Sequence, residues 1–222
     1  MSEDLITFDA ESLREMDVKH LADFMGNPDL NAYKNKAEDA DSSAFFLHPW
    51  TVKSVLDVFN SESTPIKVLE LGSGNGANGR TLCRLMDPNG DRRLCLVHLD
   101  FFDQNLIEAS KRDKEFSRLH RNFSFQCIQA DLKSRRTREK LTSLFDGTVD
   151  VAFSIKFFHN TPVKVTNEMA KFLSSIITVG GIFVLQCYGS QRRMDEVING
   201  FNRARGHGCQ RAVVDDRLRV GV

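Results

Sequence analysis

Cysteine is sparse in this sequence: five in 222 residues, at positions 83, 95, 127, 187 and 209. Their number is odd and no two stand in C-x-x-C spacing, which suits a reducing compartment and leaves no zinc site. No apolar run is long enough to span a membrane, and none reads as the core of a signal peptide. The expectation is a cytoplasmic chain with no membrane partner. There is no net charge, no internal repeat, no low-complexity segment and no block of like charge long enough to serve as a nucleic-acid tail. What charge there is divides unevenly. Residues 1–66 carry 5 basic and 13 acidic side chains, and residues 67–222 carry 25 basic and 17 acidic, so the two parts stand at −8 and +8. Either the parts attract each other across a solvated surface, or a basic core receives an anionic substrate. The length suits one domain with a full core, with or without an appendage.

The most informative stretch is Val68-Leu69-Glu70-Leu71-Gly72-Ser73-Gly74-Asn75-Gly76-Ala77-Asn78-Gly79-Arg80. An apolar run ends abruptly in four glycines, and a helical pattern follows from about Asn78. This reads as strand, tight turn and helix. A turn with positive φ and a close backbone approach to a ligand both exclude a Cβ, and the N–H groups opening the helix favour anionic or polar ligand atoms.

From Ile66 onward the alternation continues. Strands are expected at Ile66–Leu71, Leu94–Leu99, Phe123–Gln129, Val149–Ser154 and Ile182–Tyr188. Helices are expected over about Asn78–Met86, Gln104–Phe116, Arg135–Phe145, from Pro162 to Thr178, and Gln191–Arg203. Gly180-Gly181 reads as the turn into the last strand. Strand and helix segments of these lengths in alternation predict an α/β fold: a doubly wound, mostly parallel sheet with helices on both faces. Residues 1–65 read as an N-terminal helical cover, with a helix capped at Asp9 or Ser12 and an apolar segment from Phe45 to Phe59. Residues 66–222 form the core. The end of the chain, Cys209–Val222, reads as a short hairpin turning at Asp215-Asp216; either the ending is minimal or the chain is cut short.

Gly74-Asn75-Gly76-Ala77-Asn78-Gly79 satisfies the G-x-G-x-x-G dinucleotide fingerprint. The wider Glu70-x-Gly72-x-Gly74-x-Gly76 pattern instead resembles motif I of the class I S-adenosylmethionine (SAM) methyltransferases. A dinucleotide fold usually has an apolar residue where Glu70 stands, whereas in that family an acidic residue lies near the methionine end of the cofactor. Asp100 ends the second strand, where a carboxylate can accept both ribose hydroxyls; helix capping is the alternative use of an Asp there. Phe101 could cover the adenine. The resemblance assigns Asp131, at the third strand's exit, to the adenine amino group, again with capping as the alternative. The fourth exit, Ser154-Ile155-Lys156-Phe157-Phe158-His159, looks like the run that carries an apolar residue and His in many small-molecule methyltransferases. The expected cofactor set is Glu70, Gly72, Ser73, Gly74, Asn75, Gly76, Asp100, Phe101, Ala130, Asp131 and Ser154. Catalysis falls to His159, and the acceptor to Tyr33, His48, Trp50 and Lys156. No metal is expected. The resemblance covers about residues 66–190.

What is missing narrows the subclass. No Asp/Asn-Pro-Pro-Tyr follows the fourth strand, against exocyclic-amine DNA methylation. No Pro-Cys stands there either, so Cys187 reads as a buried thiol and not as an RNA cytosine nucleophile. The expectation is SAM-dependent methyl transfer to a small-molecule acceptor. Two alternatives stand beside it: RNA, including a cap guanine, drawn by Arg192, Arg193, Arg203, Arg205, Arg211, Arg217 and Arg219, and a SAM-binding regulatory protein without turnover. Nothing in the sequence fixes an oligomeric state.

Overall fold

The computed structural model describes residues 5–7, 55, 65–155, 157–158, 161, 163–186, 199–200, 203 and 212–214. Its strands are β1 (Leu5–Thr7), β2 (Ile66–Leu71), β3 (Leu94–Asp100), β4 (Phe123–Gln129), β5 (Val149–Ile155), β6 (Ile177–Gln186) and β7 (Ala212–Val214). The helices between them are α1 (Ala77–Met86), α2 (Asp103–Leu119), α3 (Arg135–Phe145) and α4 (Val163–Ile176). The strands form one sheet in the order β1-β4-β3-β2-β5-β6-β7, with every pairing parallel. The chain winds outward from β2 through β3 to β4, then returns to the other side of β2 for β5 and β6. That is the doubly wound arrangement predicted from the alternation.

Because side chains alternate across a strand, each of β2 to β6 feeds two cores. Leu69, Leu71, Val97, Leu99, Ala152, Phe183 and Leu185 face one side and pack with Leu141, Phe145, Met169, Leu173 and Ile176 of α3 and α4. Val68, Leu96, Val151, Phe153, Ile182 and Val184 face the other, with Leu82, Cys83 and Met86 of α1 and Phe116 of α2. Both faces are covered, which is why the strands read as nearly continuous apolar runs. Two polar residues share the parity of the second face: Glu70, two positions after Val68, and His98, two after Leu96. They are also register partners across β2 and β3.

Two expectations are corrected and a further strand is added. Leu5–Thr7 is a strand, pairing with Cys127–Gln129 of β4 at the sheet edge, so the start of the chain is not all helical cover. β6 begins at Ile177, before the two glycines. Val149 pairs with Ile177 and Val151 with Ile182, so Asp150 alone in β5 stands opposite four residues of β6, Thr178 to Gly181. The glycines therefore lie within a bulge, where Gly180 takes φ +86°, and not in a turn ahead of the strand. Finally, Ala212–Val214 pairs parallel to Phe183–Leu185 and joins the sheet; the far arm of the expected hairpin lies outside the described residues. A parallel return needs a long crossover, and the 25 residues between Gln186 and Ala212 provide the length. Asp215-Asp216 lie outside the described residues, as does the rest of the cover apart from Val55, which is buried in the second core, and Pro65.

Candidate functional site

The strands that flank the switch point end level with one another: Leu71 pairs with Leu99 on one side and Ser154 on the other, and Asp100 pairs with Gln129. Their exits therefore crowd one edge of the sheet, outside its carboxyl ends, where open α/β sheets take ligands. The glycine turn occupies the centre. Gly72, Gly74 and Gly76 all have positive φ, at +65°, +54° and +75°, the region that disfavours a side chain. The turn is held by Gly72 N–H donating to Leu99 O (2.8 Å) and Gly76 N–H donating to Ser73 O (3.0 Å). Among the described residues, a Cβ on Gly74 would meet nothing within 4 Å.

Asp100 ties the exits together. Its Oδ2 accepts from Gly74 N–H (2.8 Å), its Oδ1 from Phe102 N–H (2.9 Å), and its backbone carbonyl from Ala130 N–H (2.9 Å). One residue thus joins the glycine turn, the β3 exit and the β4 exit. Burial pushes the Asp100 carboxyl up, opposed by these backbone donors and by the Asn105 side chain. Asp100 does not cap α2; the cap position is Phe102. Asn105 Oδ1 is buried with no hydrogen-bond partner among the described residues. Phe101 and Phe102 are half-buried and meet edge to face at 5.3 Å, and Gln129 Nε2 donates to Phe101 O at 3.0 Å.

Asp131, buried, folds the β4 exit into a turn. Its Oδ1 accepts from Lys133 N–H (2.9 Å) and its carbonyl from Ser134 N–H (3.1 Å). Capping of α3 falls to Ser134, which accepts from Thr137 N–H. Arg138 braces the same exit, donating from Nη1 to Leu132 O (2.6 Å) and Lys133 O (2.8 Å).

At the β5 exit, the Ser154 hydroxyl is fully buried and has no partner among the described residues. Phe157 lies directly on the glycine turn: a Cβ on Gly72 would come within 2.7 Å of its Cδ2. Phe158 is buried behind it against Phe183. Gly72, Ser73, Gly74, Asn75, Gly76, Asp100, Phe101, Ala130, Asp131 and Ser154 are thus brought to one edge. Lys156, His159, Tyr33, His48, Trp50 and Cys187 lie outside the described residues.

Glu70 is the member of the expected set that goes elsewhere. It is buried, and its Oε2 lies 3.0 Å from His98 Nδ1. The ring's other nitrogen, Nε2, lies 2.8 Å from Asp113 Oδ2, and Arg80 Nη1 donates to Asp113 Oδ1 at 2.9 Å. Arg80 Nη2 then donates to Asn75 O at 2.8 Å, back in the turn. Burial alone would lower the His98 pKa, but Asp113 and Glu70 outweigh it and raise it to about 9. His98, Asp113, Arg80, Asn105 and Arg138 were not singled out from sequence. A histidine inside the apolar run Leu96-Val97-His98-Leu99, in register with Glu70, was the available signal.

No cluster of three or more potential metal ligands occurs among the described residues, and no helix there is long and apolar enough to cross a membrane. No family model matches the chain, and no curated protein matches it. Solved structures do. Phosphoethanolamine N-methyltransferase 2 of Haemonchus contortus, bound to phosphomonomethylethanolamine and S-adenosylhomocysteine, is 15% identical with a TM-score of 0.50, over 84% of this chain and 41% of its own. Phosphoethanolamine N-methyltransferase 1 from the same organism is 14% identical with a TM-score of 0.49, over 79% of this chain and 34% of its own. A SAM-dependent methyltransferase from Aquifex aeolicus is 18% identical with a TM-score of 0.44, over 66% of this chain and 67% of its own. The chain spans less than half the length of the two Haemonchus proteins. It has the Rossmann-like fold of the class I SAM-dependent methyltransferases.

Proposed function

We propose that this chain binds SAM across the exits of β2, β3, β4 and β5 and transfers its methyl group to a small-molecule acceptor. The observation that carries the reading is Asp100, a buried carboxylate gathering the glycine turn and two neighbouring exits at the switch point of the sheet. The residues at this edge fit the cofactor. Among the described residues nothing crowds Gly74, leaving room for close backbone approach, and two buried polar atoms, Ser154 Oγ and Asn105 Oδ1, have no partner there. In this reading Asp100 receives the ribose hydroxyls, the Asn105 amide being the donor that makes way. Phe101 covers the adenine, Asp131 faces its amino group, and Ser154 and the turn take the methionine end.

When bound, SAM would supply a methyl on a sulfonium whose leaving group departs as a neutral thioether. The protein's work is then chiefly alignment of acceptor and methyl. A base is required only where the attacking atom still holds a proton; His159 is proposed for that role, with His48 from the cover as its alternate. Tyr33, Trp50 and Lys156 are proposed to hold the acceptor. A small acceptor is supported by the apolar Phe101, Phe102 and Phe157 lining the exits.

The test is to incubate the chain with SAM and a small-molecule extract and measure S-adenosylhomocysteine. Turnover that Trp50→Ala and Tyr33→Ala abolish, with S-adenosylhomocysteine binding retained, is the expected result. Binding without turnover against any extract would instead mark a SAM-binding regulator. Turnover only on RNA, with salt-sensitive RNA binding, would mark the nucleic-acid alternative.

A further inference from the structure

The chain of buried groups beneath the glycine turn takes no part in the chemistry above. It runs Glu70 on β2, His98 on β3, Asp113 on α2 and Arg80 on α1, and all four are buried. It meets the turn and the start of α1 at three places. Arg80 Nη2 donates to Asn75 O. A Cβ on Gly76 would lie 2.6 Å from His98 Cε1 and 2.8 Å from Arg80 Nη1, so the turn rests directly on both side chains. At Gly79 the same construction falls 2.5 Å from Glu70 Oε2. The turn could not hold its present course if these groups moved apart.

We infer that His98 is a positioning residue for the ligand turn, acting with Asp113, Glu70 and Arg80 to hold the backbone from Asn75 to Gly79 in the form that receives a ligand. The identity of that ligand rests on the adenosyl reading above; the coupling of ring to turn does not.

The geometry sets the charge state. Both ring nitrogens of His98 face carboxylate oxygens, at 3.0 and 2.8 Å. A neutral imidazole has one N–H, so it would turn a lone pair toward one of the two carboxylates; the imidazolium donates to both. With the ring protonated, two carboxylates are balanced by an imidazolium and a guanidinium. Without that proton a net negative charge is left buried, which is costly. Burial already pushes the Glu70 carboxyl and the Cys83 thiol up, with Asp113 adding to both. Against the ring stand Glu70 from β2 and Asp113 from α2, with Arg80 from α1 paired to Asp113; Asp113 and Glu70 are the groups that raise its affinity for the proton to a pKa of about 9. Loss of that proton therefore sets Glu70 or Asp113 against the ring, and Arg80 and the turn shift with them.

The full-length chain, labelled with 15N-histidine and 15N-glycine, would be titrated by NMR from neutral pH upward. The same range would be covered in binding measurements with 5′-methylthioadenosine, which has no group of its own titrating there. His98 should be an imidazolium at pH 7, and the Gly76 amide should move with the ring's midpoint near 9. Affinity for methylthioadenosine should fall about tenfold in step. Asp113→Asn should lower both midpoints together by more than about one unit. A ring neutral at pH 7, a Gly76 amide indifferent to the ring, or affinity unchanged through the titration would each overturn the inference. Should Asp113→Asn fail to fold, the wild-type titration alone decides. A wild-type chain that binds no adenosyl compound at any pH overturns the ligand assignment, while the ring–Gly76 midpoints still decide whether His98 holds the turn.

Discussion

Asp100 carries two duties that a substitution will strip together. Replacing it with alanine removes a charge-assisted partner for the ribose and leaves the Gly74 and Phe102 N–H groups unpaired. Asp100→Ala should therefore lower S-adenosylhomocysteine affinity by more than about tenfold and also cost roughly 1–3 kcal/mol of stability. Calorimetry and urea unfolding would measure the two. A loss of stability with less than about a fivefold change in affinity would make the carboxylate scaffolding alone. The position of this residue was legible in the sequence as an acidic side chain ending an apolar strand. Its bonds to Gly74 and Ala130 were not, because they depend on how β2, β3 and β4 align in register.

His98 makes a prediction at the same scale. Its pKa rises from 6.5 to about 9 on folding, so its contribution is complete below about pH 6.5 and is lost as pH climbs through 9. For a shift of that size the contribution is on the order of 3 kcal/mol. Glu70, whose own pKa is raised by burial despite His98, takes part of it back. Stability to urea should decline between about pH 7 and pH 10, and less so in Asp113→Asn. A flat profile would mean that the ring is neutral.

Among the elements, α1 offers the sharpest contrast of magnitudes. Gly79 lies inside this helix, where alanine would ordinarily gain up to about 1 kcal/mol. Here the added methyl would press on Glu70 Oε2 and both Leu96 methyl groups, and overpacking of a tight core costs about 1–3 kcal/mol. Gly79→Ala should lower the urea midpoint; a raised midpoint would show that the layer between α1 and the sheet has room to spare. From sequence, Gly79 was one glycine of a fingerprint, and its neighbour across the layer could not be seen. The start of β6 was misplaced for a similar reason. Gly180-Gly181 carries the signal of a turn, yet Ile177 pairs with Val149 before the bulge begins. Local composition marks a break in regular pairing without saying on which side of it the strand starts. The parallel course of Ala212–Val214 was hidden too, since strand direction is set by the crossover and not by the three residues themselves.

For the molecule as a whole, alternation of apolar runs and helical periods was enough to read the doubly wound sheet, and the strand ends fell where the exits gather. The same periodicity explains why Glu70 and His98 share a face. Two sets of buried groups meet the glycine turn: Asp100, proposed to receive the ligand, and the set centred on His98, inferred to fix the turn's course. The central claim is that this edge takes an adenosyl ligand of the SAM type and not a nicotinamide dinucleotide, although Gly74–Gly79 satisfies the dinucleotide fingerprint. Calorimetric titration of the full chain with SAM, S-adenosylhomocysteine and NAD compares them directly. The account predicts saturable binding of SAM and S-adenosylhomocysteine, each at least about tenfold tighter than NAD. NAD binding more tightly than either adenosyl ligand would contradict it.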